Sequence, residues 1–301
     1  MVGGEMRLFR RRHMAVPVGR FDAYADRWRD LDGGGSVECE QLMVATFNVW
    51  FNDLYAHQRY RAIAELLARE RPDVMVFQEV TEAALEVFLA QPWIRNHYCR
   101  AAVAGDGRYG MLIVSRWPIR RSTYTRLPSH LARGYLTAEF TINGIDQKVA
   151  CVHLESGKKA QRLRARQLSR LFRAFRNDDN VLLLGDFNLR DNENHLLDPL
   201  YEDVWPRLRP EEPGFTEDTA INYMRYDMKR KHRQVRFDRV LVKGPAWEAD
   251  DIELLGLEPI APSLSRIFPS DHFGVLCRLV ARPVTSAPAQ DRPAWRRRLF
   301  H

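Results

Sequence analysis

The chain has 301 residues, of which 45% are hydrophobic and 28% are charged, and its formal net charge is +7. This composition is typical of a globular protein and excludes a disordered or collagen-like chain, while the lack of any apolar run near 20 residues excludes a stable membrane-spanning helix. The positive charge favours an anionic partner, such as nucleic acid, a phosphorylated ligand or a membrane headgroup.

The two ends of the chain differ in composition from its middle. Residues 1–40 are basic, lack sustained periodicity and contain a Gly-Gly-Gly-Ser stretch, so we expect a flexible N-terminal extension without the apolar core of a secretory signal. Residues 282–301 are rich in Pro and Arg and predict a tail that does not order itself. The interval 41–281 contains no internal repeat and no second linker, so we expect it to form one domain.

The spacing of the four cysteines indicates the kind of cellular compartment in which the protein resides. Cys39, Cys99, Cys151 and Cys277 stand far apart in the sequence, without a CxxC pair. This spacing argues against a disulfide framework or a zinc cluster and favours a reducing environment. Because the sequence also lacks a secretory signal, we expect a cytoplasmic protein.

Short apolar runs of strand length recur along the domain, and they are rich in Val, Ile and Leu, as buried strands are. In chain order they are QLMVATF, DVMVF, GMLIVS, YLTAEFTI, QKVACVHL, NVLLL, FDRVLV and GVLCRLV. Asn143-Gly144 after YLTAEFTI is a hairpin signal, whereas QRYRAIAELLARER and KKAQRLRARQLSRLFRAFR have the periodicity of amphipathic helices. The mixture of paired strands and strand-helix units predicts an α/β fold, in which a mixed sheet is layered with helices.

Several of these strands carry, at one end, polar side chains of the kind that bind metals or phosphate. They are Asn48, Gln78-Glu79, His153 with Glu155 and Ser156, Asp186 with Asn188, Asp238, and Ser270-Asp271-His272. One such residue is more often a turn former, but six similar strand ends are hard to explain independently. Oxygen ligands without Cys suit a hard ion, Mg²⁺ or Mn²⁺. Carboxylates, histidines and amides around such an ion suit hydrolysis of a phosphate ester by in-line attack.

Taken in order, TFN, FQEV, VHLES, GDFNLRD, RFDRV and PSDHFG resemble the motifs of the endonuclease/exonuclease/phosphatase superfamily, which is related to deoxyribonuclease I. The resemblance runs from Asn48 to about Leu279. It implies a layered α/β sandwich of two mixed β-sheets with flanking helices, and a metal-dependent phosphoric ester hydrolase. The motif sequences are most similar to those of the Mg²⁺-dependent 5′-tyrosyl-DNA phosphodiesterase subfamily, which acts in DNA repair. VHLES precedes a basic helix, and GDFNLRD, RFDRV and GFTEDT resemble the corresponding motifs of that subfamily. Lys158 stands where that subfamily has Arg.

The resemblance also implies a metal site and a substrate site. Glu79 is the expected principal ligand of Mg²⁺, with Mn²⁺ as an alternative, Asn48 lies beside the metal, and Asp271 is a secondary carboxylate on the metal side. Ser156 and Lys158 are the expected substrate-binding residues. All five belong to the quoted motifs or directly follow them.

The catalytic roles follow from the same resemblance. Asp186 is expected to position or deprotonate the attacking water, and Asn188 to contact the scissile phosphate. Asp238 should hydrogen-bond His272 and favour its cation, so that His272 donates to a phosphate oxygen. His153 is expected to supply a second donor.

Two basic segments stand near these motifs, at residues 158–176 and 229–233. We hypothesise that they hold the backbone of a nucleic acid, in which case DNA affinity falls steeply with salt. A basic surface that is merely solvated is the alternative. DNA is therefore the expected partner, whereas the sequence predicts no particular protein partner.

Other functions stay open at this point. Within the same fold the alternatives are a different nuclease, an inositol phosphatase or a sphingomyelinase-like phosphodiesterase. From another class, the chain could be a catalytically silent member that binds nucleic acid, and turnover of bis-p-nitrophenyl phosphate with Mg²⁺ but not with EDTA separates the two classes.

The leaving group of a tyrosyl substrate also fits the site. A tyrosine phenol, with a pKa of about 10, needs less proton donation than a sugar hydroxyl when it leaves, which fits a site without a dedicated Glu acting as general acid.

Overall fold

The computed structural model describes residues 13–31, 33–104 and 109–282. The strands in chain order are β1 (His13–Ala15), β2 (Val18–Asp22), β3 (Arg27–Asp30), β4 (Ser36–Val37), β5 (Gln41–Asn48), β6 (Val74–Val80), β7 (Cys99–Val103), β8 (Gly110–Ser115), β9 (Arg121–Arg126), β10 (Gly134–Ile142), β11 (Ile145–His153), β12 (Val181–Asp186), β13 (Glu202–Asp203), β14 (Glu217–Asp218), β15 (Gln234–Val235), β16 (Asp238–Lys243), β17 (Trp247–Leu255) and β18 (Gly274–Ala281). The helices are α1 (Ala56–Glu70), α2 (Glu82–Leu89), α3 (Pro92–His97), α4 (Gln161–Ala174), α5 (Val204–Leu208) and α6 (Met224–Lys229), with 3₁₀ turns at Lys158–Ala160, Asp191–Leu196 and Pro262–Leu264.

Two eight-stranded mixed sheets form the framework of the described residues. The first has the order β1-β9-β10-β11-β12-β16-β13, with β4 added alongside β10, and the second has the order β17-β18-β5-β6-β8-β7-β2-β3. The strands β14 and β15 form a separate short ribbon. The predicted α/β class, with two layered mixed sheets and flanking helices, is confirmed.

The main core lies between the two sheets. Inward residues of both sheets form one apolar cluster, to which Val44 and Val76 contribute from the second sheet and Leu136 and Leu184 from the first. The outer faces of the sheets are covered by helices. The predicted apolar stripe of α4 is buried there with Leu168 against the first sheet, while α1 and α2 cover the second sheet.

The N-terminal segment differs from the expected flexible extension, because residues 13–37 form four strands that join the sheets. Strand β2 pairs with β7, and β1 pairs with β9. Val16 and Val18 are only 6–7% exposed and enter the core between the sheets. Strands of two to five residues are too short for periodicity to reveal, which is why the composition suggested an extension. Residues 1–12 and the Pro/Arg-rich tail predicted beyond Arg282 lie outside the described residues, and no helix in the described ranges is long and apolar enough to cross a membrane.

Two parallel strand pairs determine where functional side chains meet. Strands β5 and β6 are parallel and in register at Asn48 and Gln78, and β11 and β12 are parallel and in register at His153 and Asp186. Each pair needs a crossover, which α1 and α4 provide. Because parallel strands end at the same edge of a sheet, the polar strand ends of the sequence converge at one edge of the sandwich.

Candidate active site

The converging strand ends open into a cleft of about 320 Å³. Most of the predicted site residues line this cleft, namely Glu79, Ser156, Asp186, Asn188, Asp271 and His272. Asn48, His153 and Asp238 are buried immediately behind them. Lys158 is the exception, since it is exposed in a 3₁₀ turn and does not line the cleft.

Asp186 lies at the centre of the site and is 2% exposed. It accepts hydrogen bonds from the side chain of Asn48 at 3.1 Å and from the backbone and side chain of Asn188 at 2.8 and 2.9 Å. Gly185 allows the strands to approach here, because a Cβ at that position would meet the carbonyl oxygen of Val152 at 2.0 Å. Although burial opposes ionisation, the nearby imidazole of His153, whose Nε2 lies 3.5 Å away, and the surrounding positive charges lower the pKa of Asp186 well below its ordinary value, so it stays ionised.

The two amide side chains are used mainly to orient Asp186. The second amide hydrogen of Asn188 is donated to the carbonyl oxygen of Leu154 at 3.2 Å, so both of its N–H groups already have protein partners. The Oδ1 of Asn48 accepts from the backbone N–H of Trp50 at 3.1 Å. In this structure the two asparagines therefore fix the carboxylate between them.

Glu79 stands where β6 departs from regular geometry. Its φ is 60°, a left-handed conformation that a non-glycine residue seldom adopts, and the register with β8 shifts at this residue. Its Oε2 accepts from the backbone N–H of Phe51 at 3.3 Å. Burial first, and the charge of Asp186 in addition, raise the pKa of Glu79. This buried carboxylate therefore lacks sufficient compensating charge from the protein.

His272 and Asp238 form a buried pair, in which the imidazole Nδ1 lies 2.7 Å from the Asp238 Oδ2. Burial alone would lower the pKa of His272, but the charge and hydrogen bond of Asp238, together with Asp271 and Asp186, raise it well above 6.5. His272 is thus a cation at neutral pH and has donors on both ring nitrogens.

His153 has the opposite character. It is 2% exposed, and its Nδ1 accepts a hydrogen bond from the Arg133 guanidinium at 2.8 Å. Burial and the charge of Arg133 lower the pKa of His153 to about 4. The neutral ring consequently carries its proton on Nε2, which lies 3.5 Å from the Asp186 Oδ2 and 3.8 Å from the Glu79 Oε1.

Several arginines of the cleft were not among the predicted site residues. Arg133 donates to the hydroxyl of Tyr109 at 3.0 Å and lies over its ring. Three further side chains, Arg190, Arg225 and Arg233, line another part of the cleft. These residues lie in loops and in the short helix α6, without a strand-end pattern, although Arg233 falls within the basic segment at residues 229–233.

The described residues contain no ready-made cluster of three His, Cys, Asp or Glu side chains that could hold a metal ion. Glu79 and Asp271 nevertheless fit a sparse Mg²⁺ site, which needs only one or two protein carboxylates plus substrate oxygens. Burial, together with the charges of Glu217 and Glu79, raises the pKa of Asp271 to about 7, and its Oδ1 is buried without a hydrogen-bond partner. A bound cation would satisfy both carboxylates.

A buried ion pair holds two of the site loops together. Arg164 of α4 forms two hydrogen bonds with Glu193, at 2.9 and 2.8 Å, and both side chains are at most 1% exposed. The same guanidinium donates to the carbonyl oxygens of Glu155 and Gly157. Arg164 therefore faces inward and is not free for nucleic acid, contrary to what was hypothesised for the whole segment 158–176.

We expect Arg164→Met to lower the free energy of unfolding by about 3–5 kcal/mol, because it leaves a buried, unpaired Glu193 carboxylate. Urea denaturation measures this change. Arg166→Met is the matched control, since Arg166 is exposed on the same helix, and it should change stability by at most about 0.5 kcal/mol. Equal losses in the two variants would contradict a structural role for the pair.

Comparison with known proteins reveals relatives with this arrangement of sequence and fold. The model of the Endonuclease/Exonuclease/phosphatase family matches residues 45–272. Tyrosyl-DNA phosphodiesterase 2 of Gallus gallus is 30% identical over 237 residues, which cover 73% of this chain and 62% of the relative. Tyrosyl-DNA phosphodiesterase 2 of Homo sapiens is 26% identical over 241 residues, which cover 74% of this chain and 63% of that relative. The chain thus spans less than two thirds of the length of these relatives.

Two solved structures illustrate the likeness in fold. The crystal structure of D. rerio TDP2 complexed with a single-strand DNA product has a TM-score of 0.72 and 26% identity, and the match covers 80% of this chain and 99% of that one. The structure of the human Nocturnin catalytic domain has a TM-score of 0.61 and 17% identity, and the match covers 81% of this chain and 95% of that one. At this identity the likeness shows the fold alone.

Proposed function

Since this chain belongs to the endonuclease/exonuclease/phosphatase family, we propose that it is a divalent-metal-dependent phosphodiesterase that acts on DNA ends and removes 5′-tyrosyl adducts. The observation that carries the proposal is the cleft, where ionised Asp186, cationic His272 and buried Glu79 face the same space. The names of the relatives support the choice of substrate. A reducing, cytoplasmic setting is part of the proposal and agrees with the four free cysteines.

In the proposed reaction, the oxygen of a water molecule attacks phosphorus while the bond to the tyrosyl oxygen breaks. Asp186 orients the water and accepts its proton, and the electron pair of the broken bond stays on the phenolic oxygen, which takes a proton from solvent. His272 donates to a non-bridging oxygen, where negative charge grows in the transition state. Glu79 and Asp271 are the residues that would hold a Mg²⁺ or Mn²⁺ ion, which when bound would supply further positive charge to the site.

The decisive experiment is parallel digestion of 5′-tyrosyl, 3′-tyrosyl, abasic and plain DNA, with a phosphoinositide and sphingomyelin as further substrates. We expect Mg²⁺-dependent release of tyrosine from the 5′-tyrosyl substrate, leaving a 5′-phosphate, and loss of activity in EDTA. Preferred turnover of the phosphoinositide or of sphingomyelin would replace the DNA proposal with an inositol phosphatase or a sphingomyelinase-like phosphodiesterase, respectively.

The proposed DNA partner fits the arginine side of the cleft. Arg190 and Arg233 lie over the ring of Phe237, at 5.7 and 5.8 Å, and the charge of Arg233 contributes to lowering the pKa of Arg190, after burial. Arg233 also pairs with Glu217 at 2.9 Å, and a bound phosphate would give the two crowded guanidinium groups a further anionic partner. We propose that they hold a phosphate of the DNA strand.

We expect Arg233→Gln to weaken single-stranded DNA binding and to reduce the slope of log K against log salt by about 0.7, the value for one phosphate contact. Fluorescence anisotropy from 50 to 300 mM salt measures both. Arg278→Gln is the control, because Arg278 pairs with Asp250 at 2.7 Å outside the cleft, and its slope should equal that of the wild type. An unchanged slope in Arg233→Gln would exclude a phosphate contact.

A further inference from the structure

A second cavity adjoins the cleft and has a volume of about 760 Å³, within the usual range for ligand sites. The two spaces share a wall made of Phe51 and Tyr109, whose rings lie 4.8 Å apart. The same wall is close to the reacting centre, because the backbone N–H of Phe51 donates to Glu79 and Arg133 donates to the Tyr109 hydroxyl. A group that leaves the reacting phosphorus on this side therefore has an adjacent space to occupy.

The charge of this second cavity is opposite to that of the protein as a whole. The chain carries a formal net charge of +7, yet among the residues that the structure describes the charged side chains lining the cavity are the carboxylates Asp53 and Glu82. Both are exposed to solvent. Apolar and neutral polar groups complete the lining, among them Val80 and Asn52. Phosphate groups would be repelled here, so a DNA strand is a poor occupant.

Arg133 lies at the shared wall, but two other arginines of the cleft, Arg190 and Arg233, lie over Phe237, whose ring is 6.0 Å from that of His272. A substrate that joins DNA to a peptide through one phosphate has the same division of charge, with phosphates on one side only. The two ends of such a substrate match the two differently charged spaces.

We propose that the second cavity binds the peptide that carries the tyrosine, and that it prefers basic residues beside that tyrosine. This inference rests on the proposed function. The DNA keeps the phosphate and stays with the arginines, while the phenolic oxygen leaves with the peptide into the cavity lined by Asp53 and Glu82. The cavity thus selects the leaving group and not the nucleic acid.

The test compares two 5′-phosphotyrosyl oligonucleotides of the same DNA sequence, in which the tyrosine is flanked by two lysines on each side or by two glutamates on each side. For the wild type we expect kcat/KM to be about tenfold higher with the lysine peptide, as two exposed ion pairs imply. The double variant Asp53→Asn/Glu82→Gln should reduce this ratio to about two or less, and Asp53→Lys/Glu82→Lys should invert it.

Glu38→Gln/Glu40→Gln is the matched control, because it removes two exposed carboxylates that precede β5, at the end of that strand away from the cleft. It should keep both the activity and the tenfold ratio. Cleavage of both peptides with a ratio near one, or a ratio that the Asp53 and Glu82 variants leave unchanged, would overturn the inference but not the proposed function. Failure to cleave any tyrosyl substrate would overturn both.

Discussion

Replacing Glu79 with glutamine is expected to lower kcat/KM on 5′-tyrosyl DNA by about a thousandfold or more, equivalent to at least about 4 kcal/mol of transition-state stabilisation. Glutamine keeps the size of the side chain and can still accept the hydrogen bond from Phe51, so the variant removes mainly the negative charge. Steady-state kinetics over a range of Mg²⁺ concentrations measure the loss. Isothermal titration calorimetry should show weaker Mg²⁺ binding in the variant.

The same substitution should not destabilise the fold. Because burial raises the pKa of Glu79 above 4.5, the ionised side chain is less favourable in the folded than in the unfolded chain at pH 7. Without metal, Glu79→Gln should therefore unfold at the same temperature as the wild type or at a higher one. Glu86→Gln, at an exposed position of α2, is the control for both measurements. A fully active Glu79→Gln protein would show that another group supplies the essential charge.

The site was predictable from the sequence where its residues follow a strand. Parallel strands end at a common edge, so the polar residues that end β5 and β6, and those that end β11 and β12, had to meet within each pair. Packing of the two sheets then brings the pairs together, as the Asn48–Asp186 hydrogen bond shows. The two-residue spacing of Asp186 and Asn188 also has a local explanation, since the second residue turns back at φ 52° and donates to the first. The predicted family is confirmed by the match over residues 45–272.

Other parts of the site were not predictable, because tertiary packing places them. Arg133 reaches His153 from the loop between β9 and β10, and Arg225 reaches the cleft from the short helix α6. Neither position has a periodic or strand-end signal. Periodicity identified the buried stripe of α4, but it could not show that Arg164 turns inward to meet Glu193, which is 29 residues away.

Asp238→Asn is expected to lower kcat/KM by about a hundredfold or more at pH 8, because a general acid or charged donor typically contributes 10²–10⁴-fold. Asparagine can still accept the hydrogen bond from the Nδ1 of His272, but it removes the charge that raises the pKa of that ring. Without that charge the pKa of His272 should fall, because burial opposes the cation and only Asp271 and Asp186 still favour it. A smaller fraction of the ring would then be cationic at pH 8.

The pH profile separates this electrostatic role from a merely structural one. In Asp238→Asn the activity should rise as the pH is lowered from 8 towards 6, because protonation restores the cation on His272, whereas the wild type, with its pKa well above 6.5, should show no such rise. Asp186 does not limit the recovery, since its pKa lies well below 3.8 and it stays ionised throughout. The pKa of Asp271, about 7 without metal, falls inside this range, so both proteins are compared at saturating Mg²⁺, which holds that carboxylate ionised. His272→Ala is the control and should lose activity at every pH without recovery. If Asp238→Asn instead has a flat profile and a lowered melting temperature, the pair serves only to hold the loop before β18 in place.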